Sequence, residues 1–167
     1  MFNFEIFKDM LPVGDLAIIA LKSCPELGKK VDDHIVGWRS TRDGEHLNSL
    51  HFAGYVKDTY LLEAECSRFG SGEGKATIEE SVRGKDIYIL ADITNHSVTY
   101  KMGGFINHMS PDDHYADIKR VIAAMMGRAR RINVIMPFLY ESRQHKRAKR
   151  ESLDCAIALQ ELLSYGV

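Results

Sequence analysis

Two short apolar runs, Ile87-Tyr-Ile-Leu-Ala91 and Ile132-Asn-Val-Ile-Met136, flank one capped amphipathic stretch, and this alternation constrains the fold more than any other feature. A five-residue apolar run, here preceded by Arg83-Gly84-Lys85-Asp86, reads as a strand buried on both faces, as in a parallel sheet. The stretch between the runs has helix chemistry. Ser110 is a capping residue, Pro111 fits the first helical position, and Asp112 and Asp113 face the positive end of the helix dipole. Tyr115, Ile118, Ile122 and Met125 form one apolar stripe; Gly127 ends it, with Arg128, Arg130 and Arg131 near the negative end. A last helix is predicted over 152–164, closed by Gly166. Strand, helix, strand, loop, helix is the grammar of an α/β doubly wound sheet.

The earlier part of the chain is less regular. Residues 14–38 read as helix-rich: Leu16, Ile19 and Ala20 sit at helical spacing, and Pro25 opens a second helix carrying Val31 and Ile35. Residues 40–54 are polar, with Asp43-Gly44 as a turn signal, and are expected to be a loop. Residues 59–66 have mixed strand character and run into Gly70-Ser71-Gly72-Glu73-Gly74, a turn with unusual backbone angles. A short strand follows over 76–80, and residues 92–109 read as loop or excursion.

At 167 residues the chain is expected to form a single α/β domain, 1–167, with a substantial core. A net charge of −1 excludes a partner held by bulk electrostatics, such as nucleic acid at large, but not a local patch. Cys24, Cys66 and Cys155 are odd in number and far apart, which favours a reducing compartment over a disulfide or zinc framework. No apolar run reaches the roughly 18 residues of a membrane span, and the start lacks a signal-peptide pattern; the expected address is cytoplasmic, with no membrane partner.

Four places carry chemistry. The first is cationic: Arg128, Arg130, Arg131, Arg143, Lys146, Arg147, Lys149 and Arg150 stand against one acid, Glu141. Guanidinium forks match phosphate oxygens, lysines act as point charges, and Gln144 can read a base or ribose; the plainer reading is a solvated surface loop. In open α/β sheets ligands gather outside the carboxyl ends of strands, where this loop would lie. The second is the glycine turn, which is neither a phosphate-binding Gly-Lys-Ser/Thr loop nor a dinucleotide fingerprint, and by itself reads as a tight turn between strands. Phe69 beside it is either core or a stacking surface. The third is the stretch Asn107–His114, in which two histidines, His108 and His114, and two aspartates, Asp112 and Asp113, have metal-ligand chemistry, although the aspartates already serve a helix start. The fourth is Ser81-Val-Arg83-Gly84-Lys85, a phosphate or sulfate cradle or simply a turn into the next strand. No nucleophile triad is visible.

Four stretches together resemble the N-terminal half of ribose-phosphate pyrophosphokinase (PRPP synthetase). Lys22-Ser-Cys-Pro-Glu-Leu27 is similar to the family's Asn-Ser-His-Pro-Glu-Leu, and Phe69-Gly-Ser-Gly-Glu73 to its Phe-Ser-Asp/Asn-x-Glu. Glu80-Ser-Val-Arg-Gly-Lys-Asp-Ile-Tyr-Ile89 nearly repeats Glu-Ser-Val-Arg-Gly-x-Asp-Val-Tyr/Phe-Ile. Arg131-Ile-Asn-Val-Ile-Met-Pro137 with Arg143-Gln144 resembles the family's Arg-Ile-x-Val-Val-Ile-Pro and its Arg-Gln loop. The resemblance implies a phosphoribosyltransferase-type α/β fold, an open, mostly parallel sheet with flanking helices. It implies an enzyme that moves pyrophosphate from Mg-ATP to C1 of ribose 5-phosphate, making PRPP for nucleotide biosynthesis, and that assembles as a homo-oligomer. Arg143 and Gln144 would then bind ATP, and Phe69, Ser71 and Glu73 of a neighbouring subunit would complete the adenine pocket. Ser81 and Arg83 would line an effector phosphate site.

The resemblance also places the family's metal-binding histidine, catalytic loop and ribose-phosphate loop beyond Val167. No catalytic residue and no metal ligand is therefore assigned here; Mg2+ is expected with ATP, and the chain alone is expected to be inactive. Ser71 stands where the family has Asp or Asn, and His145 where it has Asp, which motivates the alternative of a non-catalytic regulatory or scaffolding paralogue. A nucleic-acid binder using the basic loop ranks last, because aromatic residues are not interleaved among 143–150.

Overall fold

The computed structural model describes residues 12–41, 52 and 54–167. Most of the predicted 40–54 loop and the start of the chain lie outside them. The elements are β1 (Asp15–Ala20), α1 (Pro25–Ser40), β2 (Ala64–Arg68), β3 (Gly74–Ile78), β4 (Lys85–Leu90), β5 (Thr99–Met102), β6 (Phe105–His108), α2 (Pro111–Ala124), β7 (Arg131–Ile135) and α3 (Asp154–Ser164). The fold is mixed α/β, with a parallel sheet in the order β1-β4-β7 flanked by helices.

The two apolar runs of the sequence are β4 and β7, paired in parallel from Asp86–Arg131 to Leu90–Ile135. Period-two alternation divides β4 between two cores. Ile87 and Ile89 join Ala17, Ile19 and Ile132 under the α2 stripe Ile118, Val121 and Ile122, with Ala158 and Leu162 of α3. Leu90 and Tyr88 face the other way, with Ile18 and with Val31 and Ile35 of α1. A parallel sheet needs cover on both faces, and this partition supplies it.

Residues 15–20 form a strand, where helical spacing suggested a helix. Ala17, Ile18 and Ile19 are all buried because both faces of β1 are covered, and a short, fully apolar run carries no period with which to choose. The helix after it is as expected. Gly28 lets α1 approach β1 closely, since a Cβ there would lie 2.2 Å from that of Ala20. The expected excursion over 92–109 is ordered as a β5–β6 hairpin turning at Gly103-Gly104, both at positive φ. Two consecutive left-handed residues suit a tight hairpin turn, and only glycine occupies them without strain.

The start of α2 is a full capping box: Ser110 Oγ accepts from Asp113 N at 3.2 Å, and Asp113 Oδ2 accepts from Ser110 N at 2.9 Å. Ser110→Ala is expected to lower stability by about 1 kcal/mol in urea denaturation; an unchanged midpoint would show that the cap is redundant.

Candidate functional site

The loop after β7 is built from its tyrosine outward. Tyr140 stacks on Tyr115 with ring centroids 4.2 Å apart, and its phenol donates to Asp112 at 2.8 Å. The Tyr115 phenol donates to the Ala158 carbonyl and to Glu161. Burial and these acceptors push both phenols above their ordinary range, so they remain protonated donors. The pair ties the start of α2 and the body of α3 to the loop. Glu141 follows in the left-handed region at φ 55, and Gln144 N donates to its carbonyl at 2.8 Å. Gln144 Nε2 donates to the Ser152 carbonyl at 2.7 Å, and the Gln144 carbonyl accepts from Cys155 N. Gln144 is therefore the clasp of the loop.

Arg143 and the cations at 146, 147, 149 and 150 are exposed, and none of them forms an ion pair among the described residues. They sit outside the carboxyl end of β7, beside the cleft that an open α/β sheet offers a ligand. A cavity of about 420 Å³ adjoins the loop, lined by Asp112, Tyr115, Tyr140, Glu141, Asp154 and Glu161 among others. Its carboxylates disfavour phosphate, which leaves the cationic rim as the place for an anion.

The left-handed backbone at Glu141 costs a non-glycine residue about 1–2 kcal/mol. Glycine's extra chain entropy offsets roughly half of that. Glu141→Gly is thus expected to raise the thermal midpoint modestly; a lowered midpoint would mean that the Glu141 side chain holds the loop.

The cationic residues are not one group. Arg128 and Arg130 lie at the opposite end of the sheet: Gly84 N donates to the Arg128 carbonyl at 3.0 Å, and Arg130 N to the Lys85 carbonyl at 2.8 Å. Arg131 is committed to Asp86 through two bonds, Nε–Oδ1 at 2.8 Å and Nη2–Oδ2 at 2.6 Å. That partner pushes the guanidinium pKa further up and keeps it charged. Sequence proximity merged two clusters that the length of β7 separates. The amino-end cluster adjoins Ser81 and Arg83, both exposed, where Arg83 N approaches Ser81 Oγ at 3.4 Å and Gly84 adopts φ 71.

Residues 69–73 connect β2 and β3, closed by Phe69 N to the Glu73 carbonyl at 2.8 Å. Of the three glycines only Gly72 has positive φ, at 93. Phe69 is 56% exposed and therefore not core. Ser71 Oγ donates to Glu73 Oε2 at 2.8 Å, so the two polar residues of the turn face each other. This hairpin packs on the core beside α2 and follows Leu61, which bridges Ile18 of β1, whereas the Arg143 loop leaves from β7, at the other edge of the sheet. No hydrogen bond, ion pair or ring contact joins the turn to the loop among the described residues.

The metal cluster suggested by sequence does not assemble. His114 Nε2 meets the Asn95 carbonyl at 2.8 Å, and His108 Nδ1 meets the His96 carbonyl at 2.7 Å. Asp113 caps α2, and Asp112 accepts from Tyr140. No three ligand-type side chains converge among the described residues, so these residues do not fit a magnesium cage. Reading by spacing also missed a polar junction at the carboxyl ends of β1 and β4. There Ser23 Oγ accepts from Asp92 N at 3.0 Å, and Asn95 Nδ2 donates to the Ser23 carbonyl at 2.7 Å. The Lys22-Ser23 pair of the first resembling stretch was its only signal.

The fold is shared with known proteins. The family described as the N-terminal domain of ribose phosphate pyrophosphokinase matches residues 16–166. A crystal structure of phosphoribosylpyrophosphate synthetase from Mycobacterium smegmatis superposes with a TM-score of 0.59 at 20% identity, over 92% of this chain. The chain spans 40% of the length of that protein. No curated protein matches the chain.

Proposed function

The chain belongs to the family of N-terminal domains of ribose phosphate pyrophosphokinases, and from that premise we propose that it is the ATP-binding α/β domain of a two-domain ribose-phosphate diphosphokinase. In the complete protein the β,γ-diphosphoryl group of Mg-ATP passes to C1 of ribose 5-phosphate. The C1 hydroxyl oxygen attacks the β-phosphorus, the bond from that phosphorus to the α-phosphate oxygen breaks, the hydroxyl proton is lost and AMP leaves. The metal arrives with the nucleotide substrate.

The observation that carries this reading is the exposed Arg143, without an ion pair among the described residues, at the head of a cationic loop pinned outside the carboxyl end of β7. Its fork and the following lysines and arginines hold the triphosphate, and Gln144 keeps them in place. The chain contributes positioning and charge neutralisation, the main demands of phosphoryl transfer. Phe69 offers a free ring for adenine, with Ser71 and Glu73 as polar contacts. The family resemblance implies that each nucleotide site takes its turn from a second copy, which would make a homo-oligomer the working unit; the departure of turn and loop from different edges of the sheet supports this reading. Ser81 and Arg83, flanked by Arg128 and Arg130, form an effector phosphate site at the far end of the sheet. Among the described residues no helix is long and apolar enough to cross a membrane. A cytoplasmic enzyme of nucleotide biosynthesis, with free Cys24, Cys66 and Cys155, is the setting that suits these features.

Calorimetric titration of the full chain with Mg-ATP tests the reading. Saturable binding that weakens with added salt is expected; no heat beyond dilution would overturn it. One observation favours a second reading, a regulatory paralogue. The Ser71–Glu73 hydrogen bond engages the carboxylate in a turn where the family has Asp or Asn at position 71. Formation of PRPP by the full-length protein from ATP and ribose 5-phosphate would eliminate that reading.

A further inference from the structure

The Phe69 turn is unusually well supported for an exposed loop. Arg68, the last residue of β2 and the immediate neighbour of Phe69, has a side chain only 5% exposed. Its Nη1 lies 2.8 Å from Asp117 Oδ1 on α2, and its guanidinium carbon lies 5.4 Å from the Tyr100 ring centroid on β5. The remaining donors, Nε and Nη2, are buried and have no hydrogen-bond partner among the described residues. The head group is therefore held by one ion pair and one aromatic face, both of them directional. Asp117, with a side chain 8% exposed, also receives Arg120 Nη1 at 2.7 Å. The Arg120 guanidinium covers Gly74 at the other foot of the turn, so closely that a Cβ there would lie 2.5 Å from its carbon. One carboxylate on α2 thereby secures both feet of the hairpin turn.

A second support comes from the side. Gly103 N donates to the Gly70 carbonyl at 3.0 Å, and Met102 lies against Gly72, where a Cβ would meet its sulfur at 2.6 Å. The β5–β6 hairpin therefore braces the crown of the turn while Asp117 grips its base. A ring that must meet a flat ligand edge- or face-on gains from such bracing, since a loosely held binding group forfeits its orientation.

We propose that Arg68, clamped between Asp117 and Tyr100, is the positioning residue that sets the pose of Phe69 and so confers adenine preference on the nucleotide site. The inference rests on the reading of Phe69 as the adenine contact. It makes α2 and the β5–β6 hairpin determinants of specificity.

The test compares Mg-ATP with magnesium tripolyphosphate, which has the phosphates but no base, on the full chain. Wild-type chain is expected to prefer ATP by about tenfold, the order of a single base–aromatic stack. In Arg68→Lys, which keeps the charge opposite Asp117 but loses the fork, the preference should fall towards unity while tripolyphosphate affinity stays unchanged. Tyr100→Ala, at a half-buried position, should act the same way, and Tyr100→Phe should restore most of the preference by returning the ring. A role confined to stability would move the thermal midpoint and leave the ratio alone. A wild type that prefers ATP, with folded variants that keep the preference, overturns the lock alone. A wild type that binds both ligands equally overturns the adenine reading and the lock with it.

Discussion

Arg131→Ala is expected to lower the unfolding free energy by about 3 kcal/mol, the low end of the range for breaking a buried ion pair. The Asp86 side chain is 9% exposed and takes both oxygens' worth of bonding from the Arg131 fork. Removing the arginine leaves that carboxylate in the sheet with one neutral donor, Asn133 Nδ2 at 3.1 Å. The low end applies because the Arg131 side chain is itself 44% exposed, so water reaches part of the vacated space. Pairing Arg131→Leu with Asp86→Asn should recover most of the loss, because the pair's net contribution is small once neither charge is stranded. Urea denaturation checks both variants. A loss below about 0.5 kcal/mol for Arg131→Ala would mark the pair as an ordinary surface bridge. ATP affinity should not change, since this pair lies at the amino end of the sheet.

Arg143→Ala should do the reverse. Stability is expected to stay within about 0.5 kcal/mol, as for an exposed side chain with no partner among the described residues. Affinity for Mg-ATP should fall roughly ten- to a hundredfold, the equivalent of about 1.5–3 kcal/mol for hydrogen bonds to a charged group. Arg130→Ala provides the contrast. It removes the same charge from the same stretch of sequence but from the other end of β7, so its ATP affinity should match wild type. Equal losses from the two variants would mean that net charge, rather than a site, attracts the nucleotide.

Arg131 and Arg143 also mark what the sequence could and could not reveal. β4, β7, α2 and α3 were legible because each combines a periodic or continuous apolar pattern with a terminal signal, most clearly Ser110-Pro111 and Gly127. β1 was misread because Leu16, Ile19 and Ala20 satisfy helical spacing by coincidence in a strand buried on both faces. The β5–β6 hairpin was missed because its strands are four residues each and mostly exposed, so no alternation marks a buried face. At the site, residue type disclosed the chemistry but not the geometry. The cations from Arg128 to Arg150 read as one patch until the parallel pairing placed Arg128 and Arg130 beside Gly84 and Lys85. Spacing likewise suggested a metal cluster at His108, Asp112, Asp113 and His114, whose side chains are each occupied by a different partner: a backbone carbonyl for each histidine, the Tyr140 phenol for Asp112 and the Ser110 cap for Asp113. Asp117 gave no sign of its role, because a single acid on an amphipathic helix looks like a solvated face until β2 is folded over it.

On the function proposed here, the loop after β7 grips the phosphates of a nucleotide. Nuclear magnetic resonance with manganese in place of magnesium on ATP tests it most directly, since the paramagnetic ion broadens amide signals close to the phosphates. Broadening concentrated in residues 139–152, and absent from 81–84 and 128–130, is the expected result. Broadening centred on the amino-end cluster, or none within the loop at saturating nucleotide, would contradict the claim.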